Sequence, residues 1–477
     1  MRQMDLTQGS IVKSLLIYAW PVVLSSLLQS AYSITDLIVA GWFIGEGGIS
    51  AINNASQVMQ ILTQIIMGIT TGGNILMSQY YGSRDPVNRE KTNRTLFFFS
   101  VTAGAVMTVA VLVLSRPILI GLRAPALEEA TAYLTVCALG LIPIFGYNAL
   151  SAMLRSVGNS RQPFYCVAVT AGVNIVLDCL FMGAFHWGVR GAALATVMAQ
   201  TASFVVCLWY VRRHQDLFGL TRRRGGIERA KLTQMLKLGI PSAVQMTVVG
   251  LSWLAMTFLI NDYGVDASAA SGICAKIKDI ALLSTLALYT AATTVIAQCL
   301  GAGKFDRASR VVHVAMRISI GVAAVLIVII EVFAPQILSI FNPDQATMAL
   351  AVQNLRIEIL GQIFYASFMV YNALPMGAGH TMFALASSLL NCIVVRVVLA
   401  VILNHVFGLV GIFWACAIAP ASSVPLGYIY GEVAAEIGPG TRRRFGVTAQ
   451  IWGANFGPPR LGGDCHGAWN QVYYLLL

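Results

Sequence analysis

Two carboxylates, Asp36 and Asp178, stand inside long apolar runs of this 477-residue chain. An Asp at the centre of a membrane helix costs about 2.5–3.5 kcal/mol, so each needs a reason to be there. Each belongs to a polar stripe. Ser25, Gln29, Tyr32 and Asp36 follow at intervals of four, three and four, and Thr170, Asn174 and Asp178 at intervals of four. A third stripe, Asn53, Gln57, Gln60 and Gln64, repeats the four-three-four spacing. Residues so spaced share one helix face, and three such faces in one half of the chain line one hydrated cavity. Two acids close together in a low dielectric cannot both stay ionised, and the pair titrates as a unit. Such a pair holds a proton at neutral pH and releases it when the cavity opens. With Asn174 and hydroxyl oxygens beside it, the same cage suits Na⁺, a hard cation that prefers oxygen ligands. The spacing leaves H⁺ and Na⁺ both open. Buried polar residues can also act only as glue between membrane helices. That suffices for a lone Asn or Gln, but not for two carboxylates in a half with no Lys or Arg at depth.

The second half has no matching acid cluster. Lys276, Lys278 and Asp279 sit in one apolar run, Arg356 and Glu358 open a later one, and Arg396 lies within the next. Asp279 is expected to pair with Lys276 at i, i+3, as a structural ion pair on the cavity wall. Gln245 is the polar residue in the middle of its run, and Arg396 is a lone deep cation that needs an acceptor elsewhere. No enzyme motif is present, and no catalytic residue or organic cofactor is expected beyond the coupling ion. There is no Walker A sequence, so ATP does not drive this protein directly. His186, His214, His313, His380, His405 and His466 lack metal-ligand spacing, and the nine Cys are scattered singly with no C-x-x-C pair. They read as small packing residues.

The elements that must position these residues follow from composition. The chain is 57% hydrophobic and 11% charged with a mean hydropathy of +0.73, against about 25% charged residues in soluble domains. Apolar runs near 20 residues recur about twelve times. Six fall in each half of an internal repeat with an offset of about 220 residues. Pro21 answers Pro241, Ser78–Gly82 answers Ala297–Gly301, Gly158 answers Gly379, and Gly188/Gly191 answer Gly408/Gly411. Because six is even, both halves cross in the same sense, a parallel repeat with a substrate site where the halves meet. The expected fold is an all-α polytopic membrane protein, twelve transmembrane helices in two parallel-repeat six-helix bundles around a central cleft. The bundles are expected over 8–212 and 234–432, joined by a basic linker at 213–233, with a disordered Gly/Arg/Pro tail at 433–477. Pro21, Pro143 and Pro241 are expected to kink their helices.

The net charge of +11 is unevenly placed. Arg84, Arg89, Lys91 and Arg94 follow the second run, Arg155 and Arg161 the fourth, Arg212 to Lys231 the sixth, and Lys304, Arg307 and Arg310 the eighth. The alternate loops hold no Lys and only Arg116, Arg123 and Arg190. This is the positive-inside asymmetry, and it puts both termini in the cytoplasm. It accounts for the charge without a nucleic-acid partner. The first run is too long for the apolar core of a cleavable signal peptide.

With these features in place, the chain resembles a known family. GSIVKSLLIYAWPVVLSSLLQSAYSITDLIVAGWFIG is similar to the first helix of multidrug and toxic compound extrusion (MATE) transporters, particularly the DinF-like bacterial branch, with its acid at Asp36. QYYGSRD and AQCLGAGKFDRA resemble the paired turns after the second and eighth helices. LRSVGNSRQPF resembles the loop before the fifth helix, and NIVLDCLF and GVRGAALATV the fifth and sixth helices. The resemblance covers roughly residues 8–430. It implies cation-coupled export of amphipathic, often cationic, small molecules by alternating access, from a monomer set among the lipids of a bacterial plasma membrane. It also implies an ion site on Asp36, Asn174, Asp178 and Thr196, with Tyr32 and Asn148 in the cavity. Some relatives place acids in the seventh and tenth helices, whereas the middle of the seventh here offers Gln245 and no acid, and the tail from 433 does not resemble the family. A lipid-linked oligosaccharide flippase shares the two-bundle architecture. Its cavity would need to be strongly cationic to receive pyrophosphate, whereas the stripes here are neutral and acidic. A passive channel fits less well, because two repeats around a kinked-helix cleft suggest rocking.

Overall fold

The computed structural model describes residues 5–121, 126–220, 226–341 and 344–436. The expected tail falls outside the described residues from 437 onward. Among the described residues there are helices and tight helical turns and no strand. The first half runs α1 (Ile11–Phe43), α2 (Gly45–Gly82), α3 (Pro86–Gly121), α4 (Leu127–Leu139), α5 (Leu141–Ser156), α6 (Arg161–Asp178) and α7 (Gly188–Arg213). A short α8 (Gln215–Phe218) leads to the second half, which starts inside the expected linker with α9 (Arg229–Asn261). There follow α10 (Val265–Gly301), α11 (Phe305–Ser339), α12 (Gln345–Leu360), α13 (Gln362–Ala378), α14 (Thr381–Leu389), α15 (Arg396–Phe407), α16 (Leu409–Ile418) and α17 (Ser423–Glu436).

Among the described residues, eleven helical spans are long and apolar enough to cross a bilayer, and α4 with α5, bent by 48°, makes a twelfth if the pair is one span. The bend has a local cause. Pro143 has no N–H to give the carbonyl one turn back, and the break falls just before it, at Gly140. The repeat carries the break to Gly361, between α12 and α13. α1 and α9 instead run unbroken through Pro21 and Pro241. A π turn closes the fifth span of the first half, at Cys179–Ala184, and interrupts that of the second, at Leu390–Val395. Asp178 is the residue before the first π turn and Arg396 the residue after the second. Such turns are frequent at functional sites because they re-aim side chains within a span.

The two bundles close on each other at the end that bears the basic loops. Helices α2 and α9 approach backbone to backbone, so that a Cβ on Gly68 would lie 2.4 Å from Ala243 Cα and one on Gly72 2.6 Å from the Met235 carbonyl. Nearer the loops, α2 and α10 cross through a symmetric pair of glycines. A Cβ on Gly82 would lie 2.0 Å from the Gln298 carbonyl, and one on Gly301 2.0 Å from the Gln79 carbonyl. The same two glutamines reach across the seam. Gln79 Nε2 donates to the Gly377 carbonyl at 2.9 Å, and Gln298 Nε2 to the Ser156 carbonyl at 2.7 Å. Tyr18, on α1, adds a bond to Thr294 on α10 at 3.1 Å. At the opposite end, α2 exposes Asn53, Gln57, Gln60 and Ile61, and α10 exposes Lys276, Asp279 and Ile280.

Candidate functional site

Asp36 comes from α1 and Asp178 from the last turn of α6, two helices that pack directly on each other. Their carboxyl groups come close enough to act on each other electrostatically. Neither carboxylate has a hydrogen to give, so such an approach calls for a proton or a cation between them. Asp178 is 1% exposed and Asn174, one turn earlier on the same helix, is 2% exposed. No protein donor or acceptor reaches Asp36 Oδ1, either oxygen of Asp178, or either amide atom of Asn174. Buried polar atoms normally find partners, so this cluster of unfilled oxygens marks a place built for something absent from the chain itself. An oxygen-only donor set with two acids fits a proton or a hard monovalent cation. Among the described residues, no three His, Cys, Asp or Glu side chains gather as they would for a transition metal.

The apolar wall that keeps these acids from water comes from Val39 and Ala40 on α1, Tyr133 and Cys137 on α4, Met182 in the π turn, and Val189, Ala192 and Ala193 on α7. Tyr133 was not singled out by the sequence, yet it is 3% exposed and lies within electrostatic range of Asp36. Cys137, four residues on, also lies in range of Asp36. The available signal was that i, i+4 spacing of two weakly polar groups in an apolar run. Tyr133→Phe keeps the ring and removes the hydroxyl, and is expected to weaken coupling-ion affinity by about 2- to 10-fold, the worth of one net hydrogen bond. Ion-dependence curves of transport at matched expression check this, and unchanged curves would remove Tyr133 from the site.

The other expected residues sort by position. Tyr32 lies one turn before Asp36 on α1, so the first stripe leads into the acid pair. Thr170, Thr196 and Asn148 turn back on their own helices, onto the carbonyls of Cys166 (3.1 Å), Ala192 (3.1 Å) and Ile144 (2.9 Å). Among the described residues, no hydrogen bond joins any of the three to either acid. Asn53, Gln57 and Gln60 are exposed along the first half of α2.

In the second bundle, Gln245 is engaged, donating to Ser388 Oγ at 2.8 Å. Lys276 and Asp279 are both exposed on α10 and are not within ion-pair distance, so the expected pair between them is not made. The ion pair formed here joins Lys278 to Glu358 instead. Lys278 stands on the face of α10 turned to α12, where Glu358 is 8% exposed and offers a desolvated acceptor. A buried pair of this kind is held far more firmly than a solvated i, i+3 contact. Arg396 is 2% exposed, with one N–H toward Ser252 Oγ at 3.4 Å and its guanidinium 4.7 Å from the Trp253 ring centre.

Comparison with known proteins agrees with this architecture. The family model MatE matches twice, over residues 21–180 and 241–402, one match per bundle. The chain is 28% identical over 408 residues to the probable multidrug resistance protein YoeA of Bacillus subtilis, covering 84% of this chain and 88% of that protein. It is 23% identical to the multidrug export protein MepA of Staphylococcus aureus MRSA252, covering 86% and 91% respectively. A solved outward-facing structure of a multidrug resistance MATE family transporter superposes with a TM-score of 0.85 over 91% of this chain and 98% of that one, at 20% identity. A MOP superfamily transporter from Pyrococcus furiosus superposes equally well, with the same TM-score of 0.85. At that identity the structures speak for the fold, and the sequence matches speak for the family rather than for a branch within it. With both repeats matched, each to its own six-helix bundle, the chain is a membrane transporter and not an enzyme, and it belongs to the MatE family.

Proposed function

We propose that this protein is a multidrug efflux antiporter, exporting amphipathic organic cations in exchange for H⁺ or Na⁺. The observation that carries the reading is the Asp36–Asp178 pair, Asp178 buried beside Asn174 and Asp36 half-buried, with unfilled oxygens and no neutralising Lys or Arg among the described residues. An anionic site of this kind attracts one cation at a time. Substrate cation and coupling ion compete for it, and binding one expels the other. The names of the relatives, multidrug resistance and multidrug export proteins, supply the substrate class.

Orientation follows from charge. The closed end carries Arg84, Lys91, Lys304 and Arg307, and the positive-inside rule assigns that end to the cytoplasm of a bacterial cell. With the seam at that end closed, the cleft of an alternating-access cycle would open on the opposite, outward side. Both bundles lie in one chain, so a monomer is sufficient. A flippase would need several cations to meet a pyrophosphate. The two deep cations of the second bundle are Lys278, already paired with Glu358, and Arg396.

The test is ethidium export from energised cells stripped of their own pumps, with the Na⁺ gradient or the pH gradient collapsed in turn. Loss of export on collapsing one gradient names the coupling ion. Export that survives both, or no export across a panel of chemically different cations, overturns the antiport reading.

A further inference from the structure

The charges at depth in the second bundle do not balance. Lys278 is paired with Glu358, and Arg356 with Glu331 at 3.6 Å, while Lys276 and Asp279 are exposed and stand three residues apart on α10. Arg396 is left over. It is the largest fully buried side chain among the described residues, and no carboxylate there comes within ion-pair distance of it. Arginine keeps its charge under all working conditions, so this cation cannot escape the cost of burial by losing a proton. What the chain offers it is one long bond to Ser252 Oγ and the face of Trp253. Its Nε has no acceptor at all.

The surroundings are built to receive something. Trp253 is approached by two cations, Arg396 at 4.7 Å and Lys278 at 5.1 Å from the ring centre. Asn391, fully buried on the π turn that ends at Arg396, has neither amide atom partnered. Asn354, one turn before Glu358 on α12, is in the same state. The repeat places this cluster in register with the first-bundle site. Gly140 and Gly361 break their spans at equivalent points, so Asn354 and Glu358 are the counterparts of Tyr133 and Cys137, which wall the Asp36–Asp178 pair. The two bundles thus hold polar clusters of opposite sign beside equivalent helices, two acids in the first and, in the second, Lys278 paired with Glu358 next to the unpaired Arg396.

We propose that the second bundle binds one monovalent anion, a halide or a carboxylate, against Arg396 beside Trp253 and Lys278. A single surplus charge suits a single negative charge. A carboxylate could belong to a dipolar transported molecule whose amine meets the first-bundle acids, a point that rests on the export reading. A halide would serve as a resident counter-ion, independent of it.

The test uses the purified full-length protein in detergent, with bromide titrated against isethionate at constant ionic strength. Bromide quenches indole fluorescence on contact. Wild type is expected to show a saturable quenching component, and Arg396→Gln to need at least about tenfold more bromide, as for the loss of a charge-assisted hydrogen bond. Trp253→Phe leaves the cation in place and is expected to lose the saturable component while keeping a bromide-dependent rise in Tm. This second variant keeps the question open should Arg396→Gln fail to fold. Competition by benzoate assigns the site to carboxylates, and its absence assigns it to halides. Purely linear quenching in wild type, with no anion-dependent rise in Tm, overturns the proposal. Because no transport is measured, failure here leaves the export reading standing, and failure of export leaves this site standing.

Discussion

Asp178→Asn is expected to raise ethidium accumulation to the level of cells lacking the transporter, at unchanged membrane expression. The substitution is nearly isosteric and deletes only the ability to carry a charge or a shared proton. Asp178 is 1% exposed and neither of its oxygens bonds another protein group, so the amide breaks no bond on which the fold depends. It removes an uncompensated buried acid, and insertion and stability are expected to hold or improve. Asp36→Asn is expected to give the same phenotype from the other side of the α1–α6 contact. The double variant is expected to be no worse than either single one. Residues that act as one unit are strongly non-additive, because losing one member already empties the site. Export is measured as ethidium accumulation with expression matched by blot. Normal export in both single variants would remove the pair from the mechanism. Multiplicative losses in the double variant would mean that the two acids work separately.

The site was legible in part because membrane burial makes acids conspicuous. Asp36, Asn174 and Asp178 could be read together from stripe spacing alone, since a helix fixes which residues share a face and few polar groups compete for attention in an apolar run. The spans were legible for the same reason, and the expected kink at Pro143 falls where α4 and α5 bend. Contacts between helices were not. Tyr133 and Cys137 reach Asp36 from a helix about a hundred residues away, and only packing brings them there. The partner of Lys278 was missed because i, i+3 logic sees along one helix, while Glu358 lies across on another. Thr196 entered the expected site through the resemblance alone; its hydroxyl hydrogen goes to the Ala192 carbonyl of its own helix, which leaves the oxygen lone pairs as what it could offer a cation.

The seam at the basic end yields the second large effect. Gln79→Leu combined with Gln298→Leu is expected to favour the inward-open state. The two bonds are related by the repeat, for the carbonyls they reach, Ser156 and Gly377, each lie two residues before the matched pair Gly158 and Gly379. Each spans from one bundle to the other, and both must break for the cleft to open on the cytoplasmic side. Gln298 is fully buried and Gln79 is 4% exposed, so the bonds are dry and are not replaced by water while the seam stays shut. Two such bonds are worth about 1–3 kcal/mol, or roughly 5- to 150-fold in the equilibrium between closed and open. A cysteine at Ser78, fully buried in the closed seam, reports the opening through its rate of alkylation in everted vesicles, with exposed Cys179 and the tail Cys465 replaced. Faster labelling is expected in the double variant. Gly301→Val is expected to go further, because its Cβ would lie 2.0 Å from the Gln79 carbonyl, backbone against backbone, and no side chain can move aside. The closed seam is then sterically forbidden, so the cycle stalls with the cytoplasmic side open and export is lost. If Ser78→Cys labels at the wild-type rate in both variants, the paired glutamines and glycines do not hold the seam, and closure must rest on the α2–α9 contact at Gly68 and Gly72.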